Sequence, residues 1–164
     1  MALIKLNNQS LSAVTSAGLP SGTVLQVVQA VKSDYFTTTS TSFVDIPSLT
    51  ASITPISTSS KIMVEFNIGA HTTNAGNQIK YRIVRDGTSI GLGLSGQGTQ
   101  TTVGVTVNAN RGETASMKFL DSPATTSATT YKIQVLVGGN QLDINRRPSE
   151  YSAISTITLT EIAG

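Results

Sequence analysis

"KIMVEFNIGA", residues 61–70, alternates without a break. Ile62, Val64, Phe66 and Ile68 fall on one side; Lys61, Met63, Glu65 and Asn67 fall on the other. That is the period of a β-strand with one buried face, not of a helix. The next apolar run repeats the pattern. In "QIKYRIVRDGTSIGLGL" (78–94), Ile79, Tyr81 and Ile83 alternate with Lys80, Arg82 and Val84, and Asp86-Gly87 supplies the positive-φ pair of a tight hairpin.

Working outward, further strands are expected at 101–108, at 114–121 ("TASMKFLD"), at 129–139, at 141–146 and at 152–162. In the 129–139 run, Tyr131, Ile133, Val135 and Val137 share a face. Upstream, "FVDI" (43–46) and "SLTASIT" (48–54) read as short edge strands whose ends are marked by Pro47 and Pro55. "TVLQVVQAV" (23–31) is apolar on both faces, as a fully buried or an interface strand is. No amphipathic helix of ordinary length interrupts the series. Roughly ten strands at regular spacing predict an all-β sandwich or barrel-like double sheet.

Composition agrees. The chain has 164 residues, enough for one domain with a real core. Charged residues are 12%, about half the usual share, while Ser and Thr make up roughly a quarter. A Thr-rich, weakly charged surface suits strands, because Thr is β-branched and stiff at χ1. The net charge is +2 and the eleven basic residues are scattered, with only Arg146 and Arg147 adjacent, so no basic footprint for nucleic acid is expected. Cysteine is absent, which removes disulfides and thiolate metal sites and suits folding in a reducing cytosol. The opening stretch is too broken by polar residues for a signal-peptide core, and no run is long enough to span a bilayer, so no membrane partner is expected.

One motif invites a catalytic reading. "SIGLGLSGQG" (89–98) contains Gly91-x-Gly93-x-x-Gly96, the spacing of a dinucleotide-binding loop. That loop needs a helix after it, whose N-terminus holds the pyrophosphate. Downstream stands "TTVGVTV" (101–107), with Val103, Val105 and Val107 in period two, so a strand is expected and the glycines read as a loop. A serine elbow fails too, since Gln97 stands where Gly-x-Ser-x-Gly needs its last glycine. The single histidine, His71, comes after a strand with no acid within several residues, and reads as a surface-loop residue. The nine carboxylates show no metal-ligand spacing. Neither an enzyme nor a cofactor is expected.

Residues 1–22 read as an N-terminal arm and 23–164 as the β domain. In the arm, Leu3, Ile4, Leu6, Leu11 and Val14 are candidate apolar anchors for a partner; a frayed terminus is the other reading. Met63, Val84 and Leu136 stand on the otherwise polar faces of their strands. Two readings are open for them: scattered exposed apolar residues, which are normal, or a subunit contact.

Four stretches taken together resemble a known family: "SITPISTSSKIMVEF" (52–66), "YRIVRDGTSIGLG" (81–93), "FLDSPATTSATTYKIQVL" (119–136) and "YSAISTITLTEI" (151–162). In order and spacing they are similar to tumour-necrosis-factor-like jelly-roll domains of virion proteins of tailed phages, particularly marine and cyanobacterial ones. The arm opening "MALIKLNNQSLSAVT" is similar to the N-termini of such proteins. The resemblance implies a two-sheet jelly-roll sandwich, a homotrimer around a three-fold axis and a place in the virion, and it brings no catalytic residue. The leading expectation is a capsid decoration, or cement, protein, made in the host bacterial cytoplasm, that binds the major capsid protein on the outer shell and stabilises it. The alternative is a tail-fibre or receptor-binding tip recognising host saccharide; a third is a soluble ligand-binding jelly roll or minor enzyme on the same scaffold.

Overall fold

A computed structural model of the chain describes residues 19–72, 77–96, 98–107 and 111–164. Its elements are all strands: β1 (Val24–Lys32), β2 (Phe36–Thr38), β3 (Val44–Ile53), β4 (Lys61–Thr72), β5 (Asn77–Arg85), β6 (Thr88–Ile90), β7 (Val103–Val107), β8 (Arg111–Asp121), β9 (Thr129–Val137), β10 (Leu142–Ile144), β11 (Arg146–Arg147), β12 (Tyr151–Ser152) and β13 (Ser155–Ile162). No helix occurs among the described residues.

Two antiparallel sheets face each other. The first runs β1-β13-β4-β10-β2, with β8 on the other edge of β4. β13 pairs with β4 up to Asn67 and β10 takes over the same edge from Ala70 to Thr72, so β10 extends the line of β13, and β2 that of β1. The second sheet runs β3-β9-β5, with β6 and β7 sharing the far edge of β5. Merging the collinear pieces leaves four lines per sheet. Numbered along the chain, they stand in the orders 1-8-3-6 and 2-7-4-5, the connectivity of a jelly roll. The chain is therefore an all-β, jelly-roll-like sandwich.

The alternation read from the sequence builds the core. Ile62, Val64, Phe66 and Ile68 of β4 are wholly buried against Ile79, Tyr81 and Ile83 of β5 and Tyr131, Ile133 and Val135 of β9. The Phe66 and Tyr81 rings meet across the sheets with centroids 6.3 Å apart. Each such side chain contributes about 1.5–3 kcal/mol by leaving water. At one end a polar clamp joins the layers. Asp121 of β8 accepts from Tyr131 Oη (2.7 Å) and, through both carboxylate oxygens, from Arg85 (2.7 and 2.8 Å), which belong to the opposite sheet.

The structure amends several of the sequence expectations. The "FVDI" and "SLTASIT" runs are one strand, β3, which passes through Pro47. A bulge absorbs the proline: the pairing with β9 slips between Asp45 and Thr50, and Ser48 takes φ +66°. Pro47 costs no ladder bond there, because β3 pairs with β9 alone and is an edge strand. β2 is additional to the expected strands; three residues are too few to show a period. β1 is not fully buried, because it is itself an edge strand, and Val24, Val27 and Val31 are exposed. The Asp86-Gly87 hairpin is as read, with φ +46° and +86° between β5 and β6. The glycine loop leads into β7 and not a helix. Gly91 there has φ +62°, and a Cβ on it would meet the Phe119 ring at 3.1 Å, so glycine is needed for backbone and space.

Glu161 is buried on β13 and accepts from Gln26 Nε2 (2.5 Å) and the Ile56 amide (2.7 Å). Burial pushes its carboxyl up, but these hydrogen bonds outweigh it and hold the group below its ordinary 4.5. A folded-state value below the unfolded one means that the stabilisation is present above about pH 4.5 and is lost as pH falls through the lower, folded value. Glu161→Gln should lower stability at pH 7 by about 1–2 kcal/mol and flatten the fall in Tm at acid pH, as measured by thermal melts across pH. Val135→Asp, which buries an unpaired charge in the core, should cost more than about 4 kcal/mol and abolish the cooperative melt. The same change at half-buried Val105 should cost clearly less.

Candidate interaction surface

The outward positions of the first sheet line up in rows because the register of three strand pairs is continuous. Val27 of β1, Thr160 of β13, Met63 of β4 and Leu120 of β8 form one row. Val31, Thr156, Asn67 and Ser116 form another. Between them lie Gln29, Thr158, Glu65 and Lys118. In that middle row Gln29 donates to Thr158 Oγ1 (2.9 Å), and Lys118 pairs with Glu65 at 3.2 Å, which cancels the charges of the row internally.

This face exposes apolar side chains along one row and one edge. Val27 is 59% exposed and Leu120 50%, with Val24 and Val31 exposed on the same edge strand. The outer face of the second sheet is different. Asp45 accepts from Lys132 (2.8 Å) and Gln134 (2.6 Å), Gln134 accepts from Arg82 Nε (2.7 Å), and the Arg82 guanidinium lies 4.0 Å over the Phe43 ring. The Lys132 ammonium and the Gln134 amide hold the Asp45 carboxyl below its usual value. Among the described residues, no strand of the second sheet carries an exposed large apolar side chain.

The predicted contact residues therefore separate. Met63 lies half-buried in the Val27–Leu120 row of the first sheet. Val84 and Leu136 belong to the second sheet, and they are not surface residues: they are 2% and 8% exposed within the single chain. The three do not form one patch. Sequence reasoning misses Val24, Val27, Val31 and Leu120, although the two-sided apolar character of "TVLQVVQAV" is the signal of the three valines. The arm residues Leu3, Ile4, Leu6, Leu11 and Val14 lie outside the described residues. The segment Pro20–Thr23 turns and is tied to the last strand by Gly22 N–H to Ala163 O and Ala163 N–H to Thr23 O, both 2.8 Å.

His71 is not a surface-loop residue. It is the penultimate residue of β4, 2% exposed, and the carboxylate of Asp143 lies beside it across the β4–β10 pair. The acid is seventy-two positions away in the chain, which is why local spacing could not find it. Among the described residues no three His, Cys, Asp or Glu side chains stand together as a metal site.

No protein-family model and no curated protein matches the chain. Solved structures do. The crystal structure of the infectious bursal disease virus VP2 subviral particle matches with a TM-score of 0.50 at 10% identity, over 99% of this chain and 44% of that one. The structure of the Gx strain of the same virus gives 0.49 at 14% identity, over 100% of this chain and 43% of that one. The chain thus spans less than half the length of the viral-particle chains it matches. At such identity the likeness is one of fold, and it agrees with the jelly-roll connectivity derived from the strand pairings.

Charged substitutions on the open face test its role. Val27→Arg and Leu120→Arg should leave monomer stability within about 1 kcal/mol, since both sites are exposed. If this face joins copies of the chain, they should also lower the sedimentation coefficient in sedimentation velocity, and an unchanged coefficient would exclude that contact. Arg at buried Val84 should instead unfold the chain.

Proposed function

We propose that the protein is a non-enzymatic structural component of a virus particle, a decoration protein of a tailed-phage capsid. In this reading copies of the chain assemble as a homotrimer through the outer face of the first sheet. The arm of each copy, residues 1–22, grips the major capsid protein on the outside of the shell. Three arms on one trimer multiply weak contacts through effective concentration, so no single contact has to be tight.

The observation that carries the reading is the sidedness of the sandwich. One outer face carries exposed valines and a leucine beside a single internally neutralised ion pair, and the strands of the other carry lysine and arginine side chains and, among the described residues, no exposed large apolar one. Exposed apolar side chains gathered on one face suit a protein contact. A neutral face also meets its own copy without like-charge repulsion. Likeness of fold to a viral-particle protein supports the same placement. No cofactor, nucleic acid or membrane enters the reading.

The first test is the copy number of the chain per purified virion, by quantitative mass spectrometry against the major capsid protein. A fixed fraction of the capsid subunits is expected. A handful of copies in a multiple of three would instead assign the chain to a tail tip and to saccharide recognition, and absence from the particle would overturn both. Removing residues 1–18, which keeps Leu19 in place, should leave a folded oligomer that no longer sediments with capsid shells. Normal decoration by the truncated protein would refute the arm mechanism.

A further inference from the structure

The open face of the first sheet ends at a strap. Beyond the row of Val31, Thr156, Asn67 and Ser116, the chain from Asn145 to Ala153 folds back over β4 and β8 as the β11–β12 hairpin. Two outward positions beneath it are glycines, and the hairpin uses the room they leave. A Cβ on Gly112 would collide with Tyr151 Oη, and one on Gly69 would lie 3.6 Å from the Ala153 Cβ.

Asn145 is the hinge, at φ +65°. Its N–H donates to Gly69 O (3.0 Å) and its carbonyl accepts from the Ala153 N–H (2.8 Å). Its side-chain amide donates to Lys32 O (2.8 Å) and Asp34 O (3.1 Å), while Oδ1 accepts from Ser155 Oγ (2.5 Å). Arg146 holds the first arm of the hairpin: its guanidinium donates to Asp143 Oδ1 and lies 3.7 Å over the Tyr35 ring.

Under this strap sits His71, buried, with neither ring nitrogen in a hydrogen bond. A buried polar group without a partner is costly, and such groups are rare in native structures. The Nδ1 atom is 4.0 Å from Asp143 Oδ2. The two oxygens of that carboxylate are unequally engaged. Oδ1 accepts from Thr37 Oγ1 (2.7 Å) and from Arg146, whereas Oδ2 has only the Gln141 amide at 3.1 Å. The oxygen with spare lone pairs is the one that faces the imidazole. Among the described residues, Arg146 on β11 bonds the same Asp143, Tyr151 on β12 reaches Gly112, the register partner of His71 on β8, Arg111 and Glu113 flank that glycine in the chain, and outward along β4 the next charged group is Glu65.

We infer that His71 and Asp143 are a latent ion pair that clamps the strap onto the sheet when the imidazole is protonated, making the rim of the interaction face responsive to acid. The neutral ring has one N–H and one bare nitrogen, and both are unsatisfied here. The imidazolium presents two donors, and Nδ1–H then needs to close about 1 Å to reach normal hydrogen-bond distance from Oδ2. Histidine is the side chain suited to such a change between pH 5 and 8. The charge-assisted bond joins β4 to β10, the strand that runs directly into Asn145 and the strap.

Hydrogen exchange on the full chain tests this. The amides of Asn145, Glu150 and Ala153 are hydrogen-bonded in the strap and report its opening. Their protection factors, corrected for intrinsic exchange, should rise roughly tenfold from pH 7.5 to pH 5.5. In His71→Gln, which cannot take the proton, they should not change. A wild-type chain whose strap is indifferent to pH, one whose strap opens at pH 5.5, or an unchanged response in His71→Gln would each overturn the inference. A second measurement needs no variant. His71 is the only histidine, so its imidazole resonances are assigned at once, and a slowly exchanging Nδ1–H should appear at pH 5.5. Its absence would equally refute the pair.

Discussion

β4 is hydrogen-bonded along both edges, by β13 and β10 on one side and by β8 on the other, so its side chains have only two places to go. The even-numbered set, Ile62 to Ile68, goes inward, and the second sheet closes over it. The odd-numbered set, from Lys61 to His71, is thereby committed to the opposite face. A register slip of one residue would exchange the two sets and expose the core. The long pairings with β8 and β13, each continuous over most of β4, exclude that slip. Core, open face and strap site all depend on this one constraint.

The two outer faces then diverge according to what their strands carry. On the second sheet the alternating positions of β5 and β9 hold Lys80, Arg82, Lys132 and Gln134, whose polar ends are hydrogen-bonded within the chain, Lys132 to Asp45, Arg82 to Gln134 and Lys80 to Thr99. On the first sheet the corresponding positions of β13 are Thr156, Thr158 and Thr160, flanked by the valines of β1. Threonines and valines are stiff side chains that lose little conformational freedom on being covered. β1 is also an edge strand with no charge before Lys32 and no proline, the kind of edge that proteins otherwise blunt. Surface and edge thus expose apolar side chains on the same side of the sandwich.

The far end of that face is organised by absence of side chain. Gly69 and Gly112 leave a shallow seat, and the hairpin from Asn145 fills it. The cost of doing so is carried by His71, which is shut away from water beside a carboxylate that already serves Arg146 and Thr37.

Period-two alternation made the strands of the core, the Asp86-Gly87 hairpin and the all-β class readable from the sequence, because that pattern is local and each strand displays it alone. It also disposed of the Gly91-x-Gly93-x-x-Gly96 decoy, since a strand pattern stood where a helix was required. It could not say which face of β1 stays open, that Pro47 lies inside a bulged strand, or that Val84 and Leu136 are covered while Val27 and Leu120 are not. Those outcomes depend on which strands become neighbours. The His71–Asp143 approach shows the limit most plainly: the two residues are remote along the chain, and only the pairing of β10 with the end of β4 brings them within 4.0 Å. Alternation determines that a residue points to one face or the other. Strand order determines what waits for it there.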